Sequence, residues 1–156
     1  MLLGLIVTYG FESVGGEAKA AIPAAAGMEF LAAAASALDD IQDGDKIAGI
    51  SSRDHGAAAE LVTVLLTLAH RGFSLAFESI GPTGAEPHSV YRKLWEFELQ
   101  SLKGQHLSNQ SANSSEDKID LSFATAGDKS GYLGRLAGEL GASLATTDVE
   151  VIGTVG

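Results

Sequence analysis

The fold of this chain is constrained most by the alternation of short apolar runs with longer segments whose apolar residues recur at helical spacing. Residues 2–9 are apolar almost without interruption, as expected of a β-strand that is covered on both faces. Four further runs share this strand character, at 46–51, 73–78, 118–125 and 149–155. The sequence therefore predicts five β-strands.

Helical patterns occupy the intervals between these runs. In the clearest segment the apolar side chains follow the i, i+3, i+4, i+7 spacing of an amphipathic helix, at Leu61, Val64, Leu65 and Leu68. A cationic turn followed by Gly72 is typical of the end of that helix. We expect helices at 23–41, 56–71, 89–102 and 130–144.

Strands that alternate with helices imply βαβ units and a mainly parallel sheet. We therefore expect one α/β domain over residues 1–156, a three-layer sandwich around a five-stranded, mostly parallel sheet, Rossmann-like or flavodoxin-like. A ferredoxin-like α+β arrangement is the alternative, because the alternating run 118–125 would suit an antiparallel partner. The segment 104–117 is rich in Gln, Ser and Asn and is predicted to be a polar loop.

Charge and cysteine content exclude several classes of function. Lys and Arg number 10 against 20 Asp and Glu, a formal net charge of −10, which argues against nucleic acid and acidic membranes as partners. The absence of Cys excludes disulfides, thiol nucleophiles and zinc–thiolate sites. The first apolar run is too short to span a bilayer and lacks a basic leader, so we expect a cytoplasmic protein without a membrane partner.

Candidate ligand-binding residues follow the first predicted strand, because ligands of open α/β sheets bind beyond the carboxyl ends of the strands. Glu12, Ser13, Gly15 and Gly16 form a glycine-rich turn whose backbone amides can approach an anion at a helix N-terminus. The lysine of a nucleotide-binding P-loop is missing from this turn. The turn is therefore interpreted first as a tight turn that needs its glycines, and an anion site that does not take a triphosphate is the alternative.

The densest chemical cluster follows the second predicted strand. Ser51, Ser52 and Arg53 would anchor a phosphate or carboxylate at the start of a helix. Asp54 belongs to the same ligand-binding group, and His55 is a candidate general base. Simple capping of the helix by Ser51, Ser52 or Asp54 is the alternative interpretation.

The third predicted strand ends in a carboxylate. Glu78 is a second candidate for proton transfer, and Thr83 and His88 in the following Pro- and Gly-containing loop are candidate ligand-binding residues. A nitrogen–oxygen metal site would need His55, His88, Glu12 and Glu78 to converge. No pair among them has a diagnostic metal-ligand spacing, so no metal site is predicted and the cofactor stays unknown.

Two functions follow from these patterns. The first is binding of a small, anionic metabolite at the strand ends, with His55 or Glu78 transferring a proton if the protein is an enzyme, which the sequence leaves open. The second is a non-catalytic, homo-oligomeric assembly or regulatory module. In that case the Ala-rich helix faces at 32–35 and 57–59 and the stripe of Tyr91 and Trp95 would pack against identical subunits.

Overall fold

The computed structural model describes residues 2–45, 47, 49–50, 54–81, 86–111 and 132–156. Within these residues the chain forms six α-helices and no β-strand. They are α1 (Leu2–Ser13), α2 (Ala18–Asp43), α3 (His55–Ile80), α4 (Pro87–Ser111), α5 (Tyr132–Ser143) and α6 (Val149–Val155). The prediction of a five-stranded sheet is therefore wrong, and so are the three-layer α/β sandwich, its Rossmann-like or flavodoxin-like assignment and the ferredoxin-like alternative.

The predicted strands are parts of helices wherever the structure describes them fully. Residues 2–9 lie in α1, residues 73–78 in α3, and residues 149–155 are α6. Of the run 46–51, the described residues 47, 49 and 50 lie in turns and irregular structure, and 118–125 falls outside the described residues. The error has a physical cause, because a short apolar run has the same composition in a buried strand and in a buried helix.

The four predicted helices are confirmed in position and are mostly longer than the pattern indicated. Gly72 does not end α3, which continues for eight more residues to Ile80. The last turns of α4 reach Ser111, so the first part of the predicted polar loop is helical. Residues 112–117 lie outside the described part of the chain.

Close antiparallel contacts between helices define the packing. Gly27 of α2 faces Ala69 of α3, and four residues earlier Pro23 of α2 faces Gly72 of α3. The same close approach joins α1 to α5, where Gly10 lies against Gly138. Small residues at these contacts let the helix axes come near one another, so the core is thin.

The hydrophobic core forms where α1, α2, α3, α4 and α5 meet. Each of the five helices contributes a large, fully buried side chain, and these include Val7, Met28, Phe73, Leu94 and Leu140. The core takes the first half of α2 and the second half of α3, and each of these helices of 26 residues measures about 39 Å. Candidate site residues at opposite ends of α3 are therefore far apart.

Candidate functional site

The glycine turn between α1 and α2 does not present free amides to a ligand. Gly15 adopts a φ of 90°, in the left-handed region that suits glycine. Its N–H donates to the carbonyl oxygen of Glu12 at 2.9 Å, and the N–H of Gly16 donates to the carbonyl oxygen of Phe11 at 3.0 Å. Both amides therefore close the end of α1, which matches the tight-turn alternative.

Asp54 caps α3, as the capping interpretation of this cluster predicted. Its carboxylate accepts a hydrogen bond from the backbone N–H of Ala57 at 2.9 Å. His55 is the exposed first residue of the helix. The small pocket beside it, about 40 Å³, has room for only a few water molecules.

The two proposed proton-transfer residues lie at opposite ends of α3. His55 begins the helix and Glu78 lies near its end, about 35 Å away at 1.5 Å per residue. The Glu78 carboxylate is exposed and lies 3.9 Å from the Arg71 guanidinium. The two groups therefore do not share a substrate-sized site.

The remaining predicted site residues are scattered as well. Glu12 and Ser13 end α1, with the Ser13 hydroxyl donating to the carbonyl oxygen of Gly10 at 2.8 Å, and His88 is exposed in the first turn of α4. Ser51, Ser52, Arg53 and Thr83 lie outside the described residues.

One pocket joins two of the predicted segments. Gly15 and Gly16 line it together with Ser79 and Ile80 at the end of α3, and its volume is about 310 Å³. Among the described residues that line it, the charged one is Glu17, whose carboxylate would repel an anion. No group of three or more His, Asp or Glu side chains that could hold a metal lies in the described parts of the chain. Binding of an anionic metabolite and proton transfer by His55 or Glu78 stay predictions.

A polar cluster that the sequence did not reveal joins α3 to α4. Nε2 of His70 lies 3.1 Å from Oε1 of Glu98, and the Tyr91 hydroxyl donates to the carbonyl oxygen of His70 at 3.2 Å. Tyr91 stacks on both His70 and Trp95. Burial raises the pKa of the Glu98 carboxyl, and the charge and hydrogen bond of His70 oppose that rise.

A second polar cluster joins α4 to α5. The Glu139 carboxylate lies 2.8 Å from Nζ of Lys93 and 2.7 Å from Nε of Arg135. Burial acts to raise the pKa of Glu139, but the hydrogen bonds from these two cations outweigh it and hold the pKa below its ordinary value. Both polar clusters join neighbouring helices through contacts between described residues, so we assign both to helix packing.

The largest feature that sequence reasoning missed is the outer face of α3, which we define as Glu60, Val64, Leu68 and Arg71. All four side chains are exposed, and Val64 and Leu68 are 53% and 39% exposed. The opposite face of α3 packs in the core through small residues and Phe73. The pattern at Leu61, Val64, Leu65 and Leu68 was correctly identified as a helical stripe, but Val64 and Leu68 are exposed and Leu61 and Leu65 are only half-buried.

An apolar groove runs between α1 and α2. Leu5 and Ile22, both exposed, line it, and its volume is about 420 Å³. At one end the Glu29 carboxylate accepts a hydrogen bond from the N–H of Gly4 at 2.8 Å. This bond holds the start of α1 against the middle of α2.

The helices α2 and α3 are long and apolar enough to cross a membrane by length and composition, a test that a buried core helix also passes. Of the most apolar window in each helix, 39% is buried in α2 and 22% in α3. A smaller share of this window is therefore buried in α3 than in α2. Comparison with protein-family models, curated proteins and solved structures finds no match to this chain.

Proposed function

We propose that this protein is a non-catalytic assembly module that associates with a second copy of itself through the outer face of α3. The exposure of Val64 and Leu68 supports this function more than any other observation. An apolar stripe bordered by charged residues is typical of a protein–protein interface. Burying the remaining exposed area of both side chains in two copies supplies a hydrophobic driving force for association.

The charges on this face favour a protein partner over lipid. Glu60 and Arg71 lie among the exposed apolar side chains. An arginine held at the centre of a bilayer costs about 2.5–3.5 kcal/mol or more, whereas at the rim of a protein interface it stays hydrated or pairs with a carboxylate.

The alternative assembly surfaces are less suitable. Ala34 and Ala58, from the middle of the two Ala-rich segments, are already buried inside the fold. Tyr91 is half-buried, in contact with His70 and Phe77, which leaves Trp95 as the exposed member of that stripe. Leu99 and Leu102 of α4 are exposed beside Trp95, so the outer face of α3 is proposed because its apolar side chains lie between two opposite charges, Glu60 and Arg71.

The test is the mass of the protein across a dilution series, measured by sedimentation velocity. We expect wild type to self-associate, and the double variant Val64→Ser/Leu68→Ser to weaken association at least about tenfold, which corresponds to 1.4 kcal/mol. Leu99→Ser is the control, because Leu99 is apolar and even more exposed, at 68%, but lies on α4. A wild type that stays monomeric at every concentration contradicts the proposal.

A second candidate function, attachment to a neutral membrane, is favoured by one observation on α1. Leu2, Leu5 and Tyr9 are exposed at helical spacing, and no charged residue precedes Glu12 in this helix. Flotation with phosphatidylcholine vesicles tests it, with Leu5→Asp expected to abolish binding. Wild type that stays at the bottom of the gradient rules this function out without affecting self-association.

A further inference from the structure

The charges on the outer face of α3 have a spacing that specifies how two copies of the helix pair. Glu60 and Arg71 are eleven residues apart, which is about 16 Å along the axis and about 20° around it. They therefore lie on one line, with Val64 and Leu68 between them. A face with a carboxylate at one end and a guanidinium at the other is complementary to itself only when one copy is reversed.

We infer that two copies pair antiparallel along α3, with Glu60 of each copy opposite Arg71 of the partner subunit. The two copies of α3 cross midway between Glu60 and Arg71. A two-fold axis at this crossing point makes the two Glu60–Arg71 ion pairs equivalent. Val64 and Leu68 of both copies then fill the space between the ion pairs. A parallel pair would place Glu60 beside the partner's Glu60 and Arg71 beside the partner's Arg71, which is repulsive.

Existing contacts leave both charges available. Arg71 has Glu78 as its ion-pair partner at 3.9 Å, and these side chains are 61% and 62% exposed, so the interaction is weak. Glu60 forms no salt bridge within the described part of the chain.

The polar residues beside the stripe also tolerate burial. The Thr63 hydroxyl donates to the carbonyl oxygen of Ala59 at 2.8 Å, and the Thr67 hydroxyl donates to that of Thr63 at 2.8 Å. Both hydroxyl donors are satisfied within α3, so covering this side of the helix leaves neither of them unpaired.

A charge exchange tests this pairing, which rests on the proposed self-association. Glu60→Arg and Arg71→Glu are each expected to weaken association at least about tenfold, because each places like charges opposite each other twice. The double variant Glu60→Arg/Arg71→Glu restores opposite charges and is expected to return to within about threefold of wild type. Glu96→Arg, a reversal of an exposed carboxylate on α4, serves as the control and is expected to leave association unchanged.

The outcomes separate the two proposals. A wild type that never associates overturns both. Two results would overturn the antiparallel pairing and leave self-association standing. One is association that is unchanged in Glu60→Arg and Arg71→Glu. The other is a double variant that associates as weakly as the single variants. The substituted side chains are exposed, so we expect the helices of each variant to stay intact. Circular dichroism of each variant checks this.

Discussion

Gly72 of α3 packs directly against the backbone of Gly27 in α2. A Cβ atom built on Gly72 would lie 2.7 Å from the Cα of Gly27 and 2.6 Å from the carbonyl oxygen of Pro23. Neither contact involves a flexible side chain, so a larger residue forces the two helices apart. The two glycines therefore set the distance between the longest helices of the fold.

We expect Gly72→Ala to destabilise the protein by about 1–3 kcal/mol, the range for overpacking a close contact. Urea unfolding followed by circular dichroism measures the change. Gly134→Ala is the matched control, because no atom lies within 4 Å of a Cβ at this position in α5. At that position the higher helix propensity of Ala should raise the free energy of unfolding by up to about 1 kcal/mol. Equal losses of stability in Gly72→Ala and Gly134→Ala would contradict the packing argument.

The pairing of His70 with Glu98 predicts a pH-dependent stability. Burial raises the pKa of Glu98 above that of the unfolded chain, with His70 acting in the opposite direction. The stability that this carboxyl contributes is therefore fully present below its unfolded pKa and is lost as the pH rises through its folded pKa. Gln has nearly the same shape and does not ionise, so Glu98→Gln avoids the loss.

We expect Glu98→Gln to melt at a higher temperature than wild type at pH 8, with a gap that closes as the pH falls below about 4.3. Thermal unfolding at a series of pH values measures this. In a His70→Leu background the gap should widen, because Leu carries neither the charge nor the hydrogen-bond donor that opposes the rise in the Glu98 pKa. A gap that does not vary with pH would show that Glu98 acts by shape alone.

The position of the helices was predictable from the sequence, but the architecture was not. Helical spacing identified α3 correctly because Leu61, Val64, Leu65 and Leu68 recur every three to four residues, although none of the four is among the buried residues of α3. The pattern predicts a strand at 73–78 only if Gly72 ends the helix before it. In the folded chain Gly72 has no side chain to keep α2 away, so the two helices pack closely at this point. The contact depends on Gly27, 45 positions earlier in the sequence.

The candidate site was less predictable, because its residues were chosen from a sheet that does not exist. Polar residues after apolar runs were expected to meet at one sheet edge, whereas Asp54 and Glu78 lie at opposite ends of α3. Asp54 illustrates this. An Asp before a helix suits both an anion site and a helix cap, and in the fold Asp54 caps α3. Capping is a local role that needs no residue from elsewhere in the fold.

The cap at Asp54 gives a third prediction. Asp54→Ala removes the acceptor for the Ala57 N–H and should cost about 1 kcal/mol of stability, while Asp54→Asn keeps an acceptor and should cost less. The midpoint of urea unfolding reports both. Asp148→Ala provides the comparison, because it caps the seven-residue α6 and should cost less than Asp54→Ala. An Asp54→Asn variant as unstable as Asp54→Ala would refute the capping role.

The last prediction concerns the two cations that share Glu139. Lys93 comes from α4 and is 30% exposed, whereas Arg135 lies four residues away on the same helix as Glu139 and is 60% exposed. Lys93→Met should therefore cost about 1–2 kcal/mol, and Arg135→Met only about 0.3–0.5 kcal/mol.

The loss in Lys93→Met should itself depend on pH. Burial opposes ionisation of Glu139, but Lys93 and Arg135 hold its pKa below the ordinary value, so its contribution to stability is present above the unfolded pKa and is lost as the pH falls through the folded pKa. Urea unfolding at pH 7 and at about pH 4 measures this, and the difference between wild type and Lys93→Met should shrink at the lower pH. An equal difference at both pH values would mean that Lys93 stabilises the contact between α4 and α5 through its aliphatic chain and not through its charge.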